Sequence, residues 1–230
     1  MFSKEFLNTL AKLNNYTDKV VLKYPTTTIN SDARDVLINI KADVLGCQEF
    51  LDTGVYELSK LINILNLFEN PEIQRVDRTL EIQSVTESAV FTLCDLDLLS
   101  AYNQKDSIIG GLDKFPNIAE FELTQEALTH FKKAASILNE LNAFRIKGQN
   151  GNTLVDLTFN NKFNSSNNTY KREYLGTSSK DFELNLDIEN IQKLPLNNYK
   201  VKVKYNAEKD ATRVLFETET YSVLIANLVS

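Results

Sequence analysis

The chain has 230 residues, of which 43% are hydrophobic, and it carries a formal net charge of −6 with a pI near 5.0. This length and apolar content support one large domain or two smaller ones, while the acidic balance argues against a protein that binds nucleic acid through an overall basic surface. The two cysteines, Cys47 and Cys94, are too few and too far apart for a disulfide framework or a zinc site, which favours a reducing compartment.

The first predicted element is an amphipathic helix at the N-terminus. In MFSKEFLNTLAKL, Phe2, Phe6, Leu10 and Leu13 share one helical stripe, and Ser3 is a suitable N-cap. The same stretch lacks the apolar core of a secretory signal, and no apolar run in the sequence reaches the roughly 18 residues of a membrane-spanning helix. We therefore expect a cytoplasmic protein, in the host cell cytoplasm if viral, with no membrane partner.

Strands dominate the rest of the N-terminal half. Apolar and β-branched runs predict four strands, KVVLKY, TTTIN, DVLINIKA and CQEFL. The stretch YELSKLINILNLF then predicts a second amphipathic helix. Three further strands follow it, EIQRV, TLEIQSV and SAVFTLC. Residues 1–95 are thus predicted to form a first domain with the order helix, strands, helix, strands.

A connector separates this domain from a second one with the same order of elements. Residues 96–117 contain Gly110, Gly111 and Pro116, which break the periodic pattern and are typical of a connector. Residues 118–230 then repeat the alternation of strands and helices, which indicates an internal duplication. The predicted fold class is α+β, with two similar domains that each have two helices packed on antiparallel sheet.

Local signals place the elements of the second domain. The strand AEFELT leads into a helix that Thr124 caps, and Asn150 with Gly151 suits the primed turn of a β-hairpin. Pro195 ends a short helix, ENIQKLP. The remaining predicted strands are YKREYL, DFELNLDI, YKVKVKY, TRVLFET and YSVLIANLV.

All four predicted helices turn lysine away from their apolar stripes. These lysines are Lys4, Lys12, Lys60, Lys132, Lys133 and Lys193. A single lysine on a solvated helix face is ordinary. Duplication makes the set more informative, because repeated domains can place their helices side by side and gather these charges onto one surface.

Signals of catalysis are weak. His130 is the only histidine and lies at the margin of an apolar helical stripe, which favours a solvated residue over a base or a ligand. Asp95 and Asp97 have a spacing that can hold a divalent cation at a strand end, but no further acidic cluster accompanies them in the sequence. Phosphate-loop, nucleophile-elbow and zinc-protease motifs do not occur. The sequence therefore predicts a protein that is not an enzyme and needs no cofactor.

The order of elements and three local strings resemble the DNA polymerase sliding clamps, in particular those of T-even bacteriophage type, which are related to proliferating cell nuclear antigen. DTGVYELSKLINIL looks like the family's passage from a strand into the second helix. FSKEFLNTLAKLNN is similar to the phage clamp's opening helix, and LNNYKVKV to its last passage from helix to strand. The resemblance covers nearly the whole chain, except for the connector and the asparagine-rich loop near Ser165.

The resemblance implies a closed ring of six domains, made by a homotrimer, with the helices lining the hole. It implies that the six lysines face double-stranded DNA and contact it without regard to sequence. Lysine contacts to phosphate suit this role because they read no base and weaken with salt. It also implies two protein partners, a DNA polymerase and an ATP-dependent clamp loader.

Two further surfaces follow from the resemblance. Edge strands of neighbouring subunits join in this family, and the regions TLEIQSV with SAVFTLC on one side and YKREYL on the other are the candidate edges. Partner peptides are expected beside the connector, in an apolar groove. The candidate residues are Leu98, Leu99, Ile108, Ile109, Ile225, Leu228 and Val229. Alternatively, these apolar side chains simply anchor the connector and close the sheet.

Two other classes of protein stay open at this point. One is a metal-dependent nucleic-acid enzyme built on duplicated α+β domains, which would use Asp95 and Asp97. The other is a virion or structural protein that shares the duplicated sheets without binding DNA.

Overall fold

The computed structural model describes residues 4–23, 26–33, 35–41, 52–100, 111–158, 169–174 and 176–228. The chain divides into two units, residues 1–108 and 109–230. This division falls inside the segment 96–117 that the sequence marks as a connector. The predicted strand CQEFL, Cys47 and most of the asparagine-rich loop lie outside the described residues.

The described part of unit 1 contains two α-helices and seven strands. In chain order they are α1 (Lys4–Leu13), β1 (Val20–Leu22), β2 (Thr27–Asn30), β3 (Val36–Ile40), β4 (Thr53–Val55), α2 (Leu58–Leu65), β5 (Glu72–Val76), β6 (Thr79–Gln83) and β7 (Ser88–Thr92). A turn of 3-10 helix, Leu96–Leu99, follows β7. Apart from CQEFL, every helix and strand predicted for this half is confirmed.

Antiparallel pairing organises the strands of unit 1. β1 pairs with β4, β2 pairs with β3, and β5, β6 and β7 form a three-stranded sheet in that order. Both helices are amphipathic, and they pack against each other. The apolar side chains that they bury are Phe6, Leu10, Leu13, Leu58, Leu61, Ile62 and Leu65. Their polar faces are therefore turned outward, as the helical periodicity predicts.

Asp18 fixes the start of α2. The backbone N–H of Leu58 donates to the carbonyl oxygen of Asp18 at 2.8 Å, and that of Ser59 donates to its carboxylate at 2.6 Å. A helix leaves its first N–H groups without intrahelical acceptors, so this carboxylate acts as a cap supplied from a distant part of the chain. It sets the orientation of the outward face of α2.

The described part of unit 2 contains two α-helices and nine strands. In chain order they are β8 (Asn117–Leu123), α3 (Gln125–Ile137), β9 (Ala143–Gln149), β10 (Asn152–Thr158), β11 (Tyr170–Tyr174), β12 (Gly176–Ser178), β13 (Phe182–Asp187), α4 (Ile188–Lys193), β14 (Tyr199–Asn206), β15 (Ala211–Glu217) and β16 (Tyr221–Ala226).

Unit 2 is built on an antiparallel sheet. Its strands follow the order β13, β9, β10, β12, β8, β14, β15, β16, and β11 also pairs with β10. Thr124 caps α3, since its hydroxyl accepts from the N–H of Ala127 at 3.2 Å. Asn150 and Gly151 have φ values of 52° and 82° and form the turn of the β9–β10 hairpin. Both local predictions are confirmed. The short strand β12 was not predicted.

The core of unit 2 lies between the helices and the sheet. Phe131 of α3 meets Phe144 of β9 edge to face, with ring centroids 5.1 Å apart. Ile191 of α4 is fully buried. The helical projection of ENIQKLP predicts that Asn190 is exposed together with Lys193, and for Asn190 this prediction is wrong, because Asn190 is 5% exposed. α4 is too short for periodicity to distinguish its faces.

Close packing at Gly148 gives a stability prediction. A Cβ at this position would lie 2.4 Å from Cε1 of Phe182 and 2.4 Å from Oγ of Ser178. We expect Gly148→Ala to lower the free energy of unfolding by about 1–3 kcal/mol, through overpacking. Chemical denaturation measures this. Gly111→Ala is the matched control, because a Cβ there meets no atom of the described residues within 4 Å. An equal loss in both variants would contradict the packing argument.

A buried pair of tyrosines gives a pH prediction. The hydroxyl of Tyr199 donates to the carbonyl oxygen of Pro195 at 2.7 Å and lies 2.9 Å from the hydroxyl of Tyr221. Burial raises the pKa of Tyr221. Since the folded pKa of Tyr221 exceeds the unfolded value of about 10, the neutral Tyr221 hydroxyl makes its full contribution to folding stability below that pH. This contribution is lost as the pH rises through the folded pKa.

The matched test compares two phenylalanine variants. Tyr221→Phe should unfold with a shallower alkaline decline in stability than the wild type, measured by urea denaturation above about pH 9. Tyr56→Phe, at a half-exposed ring, should leave the alkaline decline unchanged. Identical alkaline profiles for wild type and Tyr221→Phe would rule out this role for the Tyr221 hydroxyl.

Candidate nucleic-acid interface

Helices α1 and α2 carry three of the predicted lysines. Lys4 is the first residue of α1, and Lys12 is exposed in its last turn, opposite the buried stripe. The side chain of Lys60 on α2 is 61% exposed, and its Nζ lies 3.1 Å from Oε2 of Glu57. An exposed pair of this kind contributes little and is screened by salt, so Lys60 is readily released to another anion. Unit 1 thus brings these lysines onto two helices that pack together.

The outward faces of α3 and α4 carry two of the other three predicted lysines. Lys133 is exposed on α3, and Lys193 is the half-buried last residue of α4. His130, one turn before Lys133 and Ala134, is also exposed and lies 3.8 Å from the carboxylate of Glu126. This is the solvated position that the sequence predicts for the histidine. α3 and α4 contact each other, so unit 2 repeats the pairing of lysine-bearing helices.

Lys132 is placed differently from its neighbour Lys133. Its Nζ donates to the carbonyl oxygen of Gln192 at 2.7 Å and also to the carbonyl oxygen of Leu194. Burial lowers the pKa of Lys132, because the charged ammonium is partly removed from water. The ammonium is therefore directed at the C-terminal end of α4.

Several cations on the sheet of unit 2 are compensated by carboxylates. Lys200 lies 2.7 Å from Glu120, and Lys202 lies 2.5 Å from Glu217. The hydrogen bond from Lys200 lowers the pKa of Glu120, and the same contact raises the pKa of Lys200. Arg145 holds Asp156 with two hydrogen bonds, of 2.8 and 2.6 Å.

Three of the helical lysines lack such compensation. Lys12, Lys133 and Lys193 form no ion pair with any residue that the structure describes. An uncompensated ammonium keeps its charge available to an external anion, whereas a paired one must first give up its carboxylate. The outward faces of the helices are therefore suited to contact phosphate, despite the acidic composition of the chain.

The residues predicted for partner binding have mixed environments. Leu98 is 73% exposed, whereas Leu99 and Ile225 are fully buried. Leu228 is half-buried, and its N–H donates to the carbonyl oxygen of Asn185 at 2.7 Å. Burial of Leu99 and Ile225 favours the alternative in which they close the core. Ile108, Ile109 and Val229 lie outside the described residues.

Within the described part of the chain, the candidate edge strands β7 and β11 each have one edge without a partner strand. Among the described residues, β7 pairs only with β6, and β11 pairs only with β10. β7 also presents the apolar side chain of Val90, which is 64% exposed. An open strand edge with exposed apolar residues is a template for pairing with another chain.

The candidate metal ligands are not assembled for a cation. The carboxylate of Asp95 is bound by the guanidinium of Arg78, which opposes a positive ion at that position. Asp97 is exposed in the 3-10 turn. Within the described ranges, no group of three or more His, Cys, Asp or Glu side chains could hold a metal ion.

None of the described helices has the length and apolarity needed to cross a membrane.

Comparisons with known proteins bear on the fold. No protein-family model matches the chain, and no curated protein sequence does. Solved structures do match it over nearly its whole length. The crystal structure of proliferating cellular nuclear antigen from Entamoeba histolytica aligns with a TM-score of 0.68 at 14% identity, covering 98% of this chain and 95% of that one.

A second solved structure gives the same result. The PCNA2–PCNA3 complex from Sulfolobus tokodaii aligns with a TM-score of 0.64 at 11% identity, covering 97% of this chain and 96% of the matched chain. At these identities the likeness establishes the fold alone. The chain therefore has the α+β fold of the DNA sliding clamps.

Proposed function

We propose that this protein is a sliding clamp of the T-even bacteriophage type, which closes as a homotrimeric ring of six domains around double-stranded DNA. In this proposal, residues 1–95 and 118–230 are the two clamp domains and residues 96–117 connect them. The protein has no catalytic step and needs no cofactor. It acts by tethering a replicative DNA polymerase to its template for processive synthesis.

One observation carries the proposal: in a clamp fold, Lys12, Lys133 and Lys193 on the helices form no ion pair with any described residue, whereas Lys200 and Lys202 on the sheet are held by carboxylates. We assign Lys4, Lys12, Lys60, Lys133 and Lys193 to contacts with DNA phosphates, and Lys132 is considered separately below. Such contacts are independent of sequence, so they let a ring move along DNA without stopping at any base. Retention then comes from closure of the ring, and the lysines centre the DNA.

The acidic remainder of the surface supports the same assignment. With a net charge of −6, the protein repels DNA except where lysines are gathered, which directs the duplex to the helices.

Subunits are proposed to join through β6 with β7 on one side and β11 on the other. The connector, with Leu98 as its exposed apolar residue, is proposed to receive peptides from the polymerase and from an ATP-dependent clamp loader.

Topological retention on DNA tests the proposal. The purified protein is mixed with a nicked circular duplex, and the complex is separated by gel filtration before and after one restriction cut. A ring-sized trimer should stay on the circle and leave the linear molecule, and it should stimulate processive synthesis by its polymerase.

Other outcomes select the remaining classes of protein. Magnesium-dependent strand cleavage that is lost in Asp95→Asn with Asp97→Asn would replace the clamp by a nucleic-acid enzyme. A protein that neither stays on circular DNA nor cleaves it would be a structural protein that shares the fold.

A further inference from the structure

The carbonyl groups at the C-terminal end of α4 have no N–H donors within the helix. The last four carbonyl groups of any α-helix have no intrahelical donor, and Pro195, which follows Leu194, has no N–H to offer. In α4 two of the carbonyl groups at this end, those of Gln192 and Leu194, accept hydrogen bonds from Nζ of Lys132. This donor comes from α3, about 60 residues earlier in the sequence.

We propose that Lys132 is a positioning residue that fastens α3 to the C-terminal end of α4, and that only Lys133 of the adjacent pair contacts DNA. The second half of this inference rests on the proposed function, whereas the first half does not. The fastening holds the end of α4, with Lys193 as its last helical residue, against the helix that presents Lys133.

The ammonium group of Lys132 is chemically suited to the carbonyl end of α4. An ammonium group has three N–H donors, and the carbonyl end of a helix carries partial negative charge, so Lys132 makes charge-assisted hydrogen bonds there. To reach a phosphate, Lys132 would have to leave both carbonyl groups without a donor at a partly buried position, which is unfavourable. Lys133 has no such contact to give up, because no described residue forms an ion pair with it.

Lys132→Met and Lys133→Met form a matched pair for the test. Both keep an unbranched apolar stem and remove one positive charge. We expect Lys132→Met to speed amide hydrogen exchange in α4, including the N–H of Leu194, by about tenfold or more, because two charge-assisted bonds are lost. Lys133→Met should leave exchange in α4 unchanged. Lys132→Arg, which restores N–H donors, should recover part of the protection.

Salt dependence of DNA binding separates the two roles. For each phosphate contact that is lost, the slope of log affinity against log salt falls in magnitude by about 0.9. Lys133→Met should reduce the slope in this way, and Lys132→Met should weaken binding with the slope unchanged. Equal reductions of the slope, or unchanged exchange in α4 of Lys132→Met, would overturn the inference.

A measurement on the unmodified protein covers the case in which Lys132→Met does not fold. NMR of the lysine ammonium groups should show slower proton exchange with water for Lys132 than for Lys133, and addition of duplex DNA should shift Lys133 alone. Equal exchange of the two groups would refute the fastening. If the wild-type protein binds no DNA, the proposed function fails, while ammonium and amide exchange still decide whether Lys132 joins the helices.

Discussion

Replacing Lys12 and Lys133 together by glutamate is expected to remove most of the protein's affinity for duplex DNA and its retention on circles. The double change reverses an exposed, uncompensated charge on one helix of each unit. Loss of phosphate contacts together with new repulsion should lower affinity on the order of 100-fold and flatten the dependence on salt. The fold should stay intact, since both lysines are exposed and an ordinary surface substitution changes the free energy of unfolding by about 0.5 kcal/mol or less.

The control makes the same change of net charge away from the helices. Lys114 and Lys209 are both exposed, the first before β8 and the second in the turn between β14 and β15. Lys114→Glu with Lys209→Glu should keep nearly all of the affinity, measured by fluorescence anisotropy at several salt concentrations. If the control loses as much affinity as the helix variant, net charge alone governs binding and the helix faces have no special role.

Replacing Arg145 by methionine is expected to destabilise the fold of unit 2 strongly. Arg145 and Asp156 face each other on β9 and β10, with hydrogen bonds of 2.8 and 2.6 Å, and the side chain of Asp156 is only 7% exposed. The contact with Asp156 raises the pKa of Arg145, in keeping with a strongly held pair. Removal of the arginine leaves a buried carboxylate without its cation, which costs about 3–5 kcal/mol.

A second substitution tests whether the orphaned charge causes this loss. Asp156→Leu combined with Arg145→Met should recover most of the lost stability, because apolar residues can replace a buried pair at little cost. Lys147→Met, which removes an exposed cation 3.9 Å from Glu183, should change the free energy of unfolding by about 1 kcal/mol or less. Denaturant unfolding measures all three, and a double variant no more stable than Arg145→Met would contradict the explanation.

The sequence predicts those parts of this fold that depend on neighbouring residues. Thr124 was identified as a cap because the helix pattern begins directly after it, and Asn150 with Gly151 because few residues adopt positive φ. The buried stripes of α1 and α2 follow from the spacing of Phe6, Leu10 and the leucines of α2. Each of these signals lies within a few residues of the element that it defines.

Features that depend on distant residues were not predictable in this way. The strand β12 has three residues, begins with a glycine and is defined by its partners β8 and β10 rather than by its own pattern. The sequence places Lys132 and Lys133 in the same class of exposed lysines. Only the fold reveals that Lys132, and not Lys133, donates to the carbonyl groups of Gln192 and Leu194. The assignment of the lysines to DNA remains a prediction that binding measurements have to test.

The near burial of the Arg145–Asp156 pair has a practical consequence for handling the protein. Mobile ions weaken attraction between exposed charges, but they hardly reach a pair that is shielded from water. Concentrated salt should therefore strip nucleic acid from the open ammonium groups of the helices while unit 2 keeps its fold. A high-salt wash during purification would then yield a nucleic-acid-free protein that regains binding on dilution.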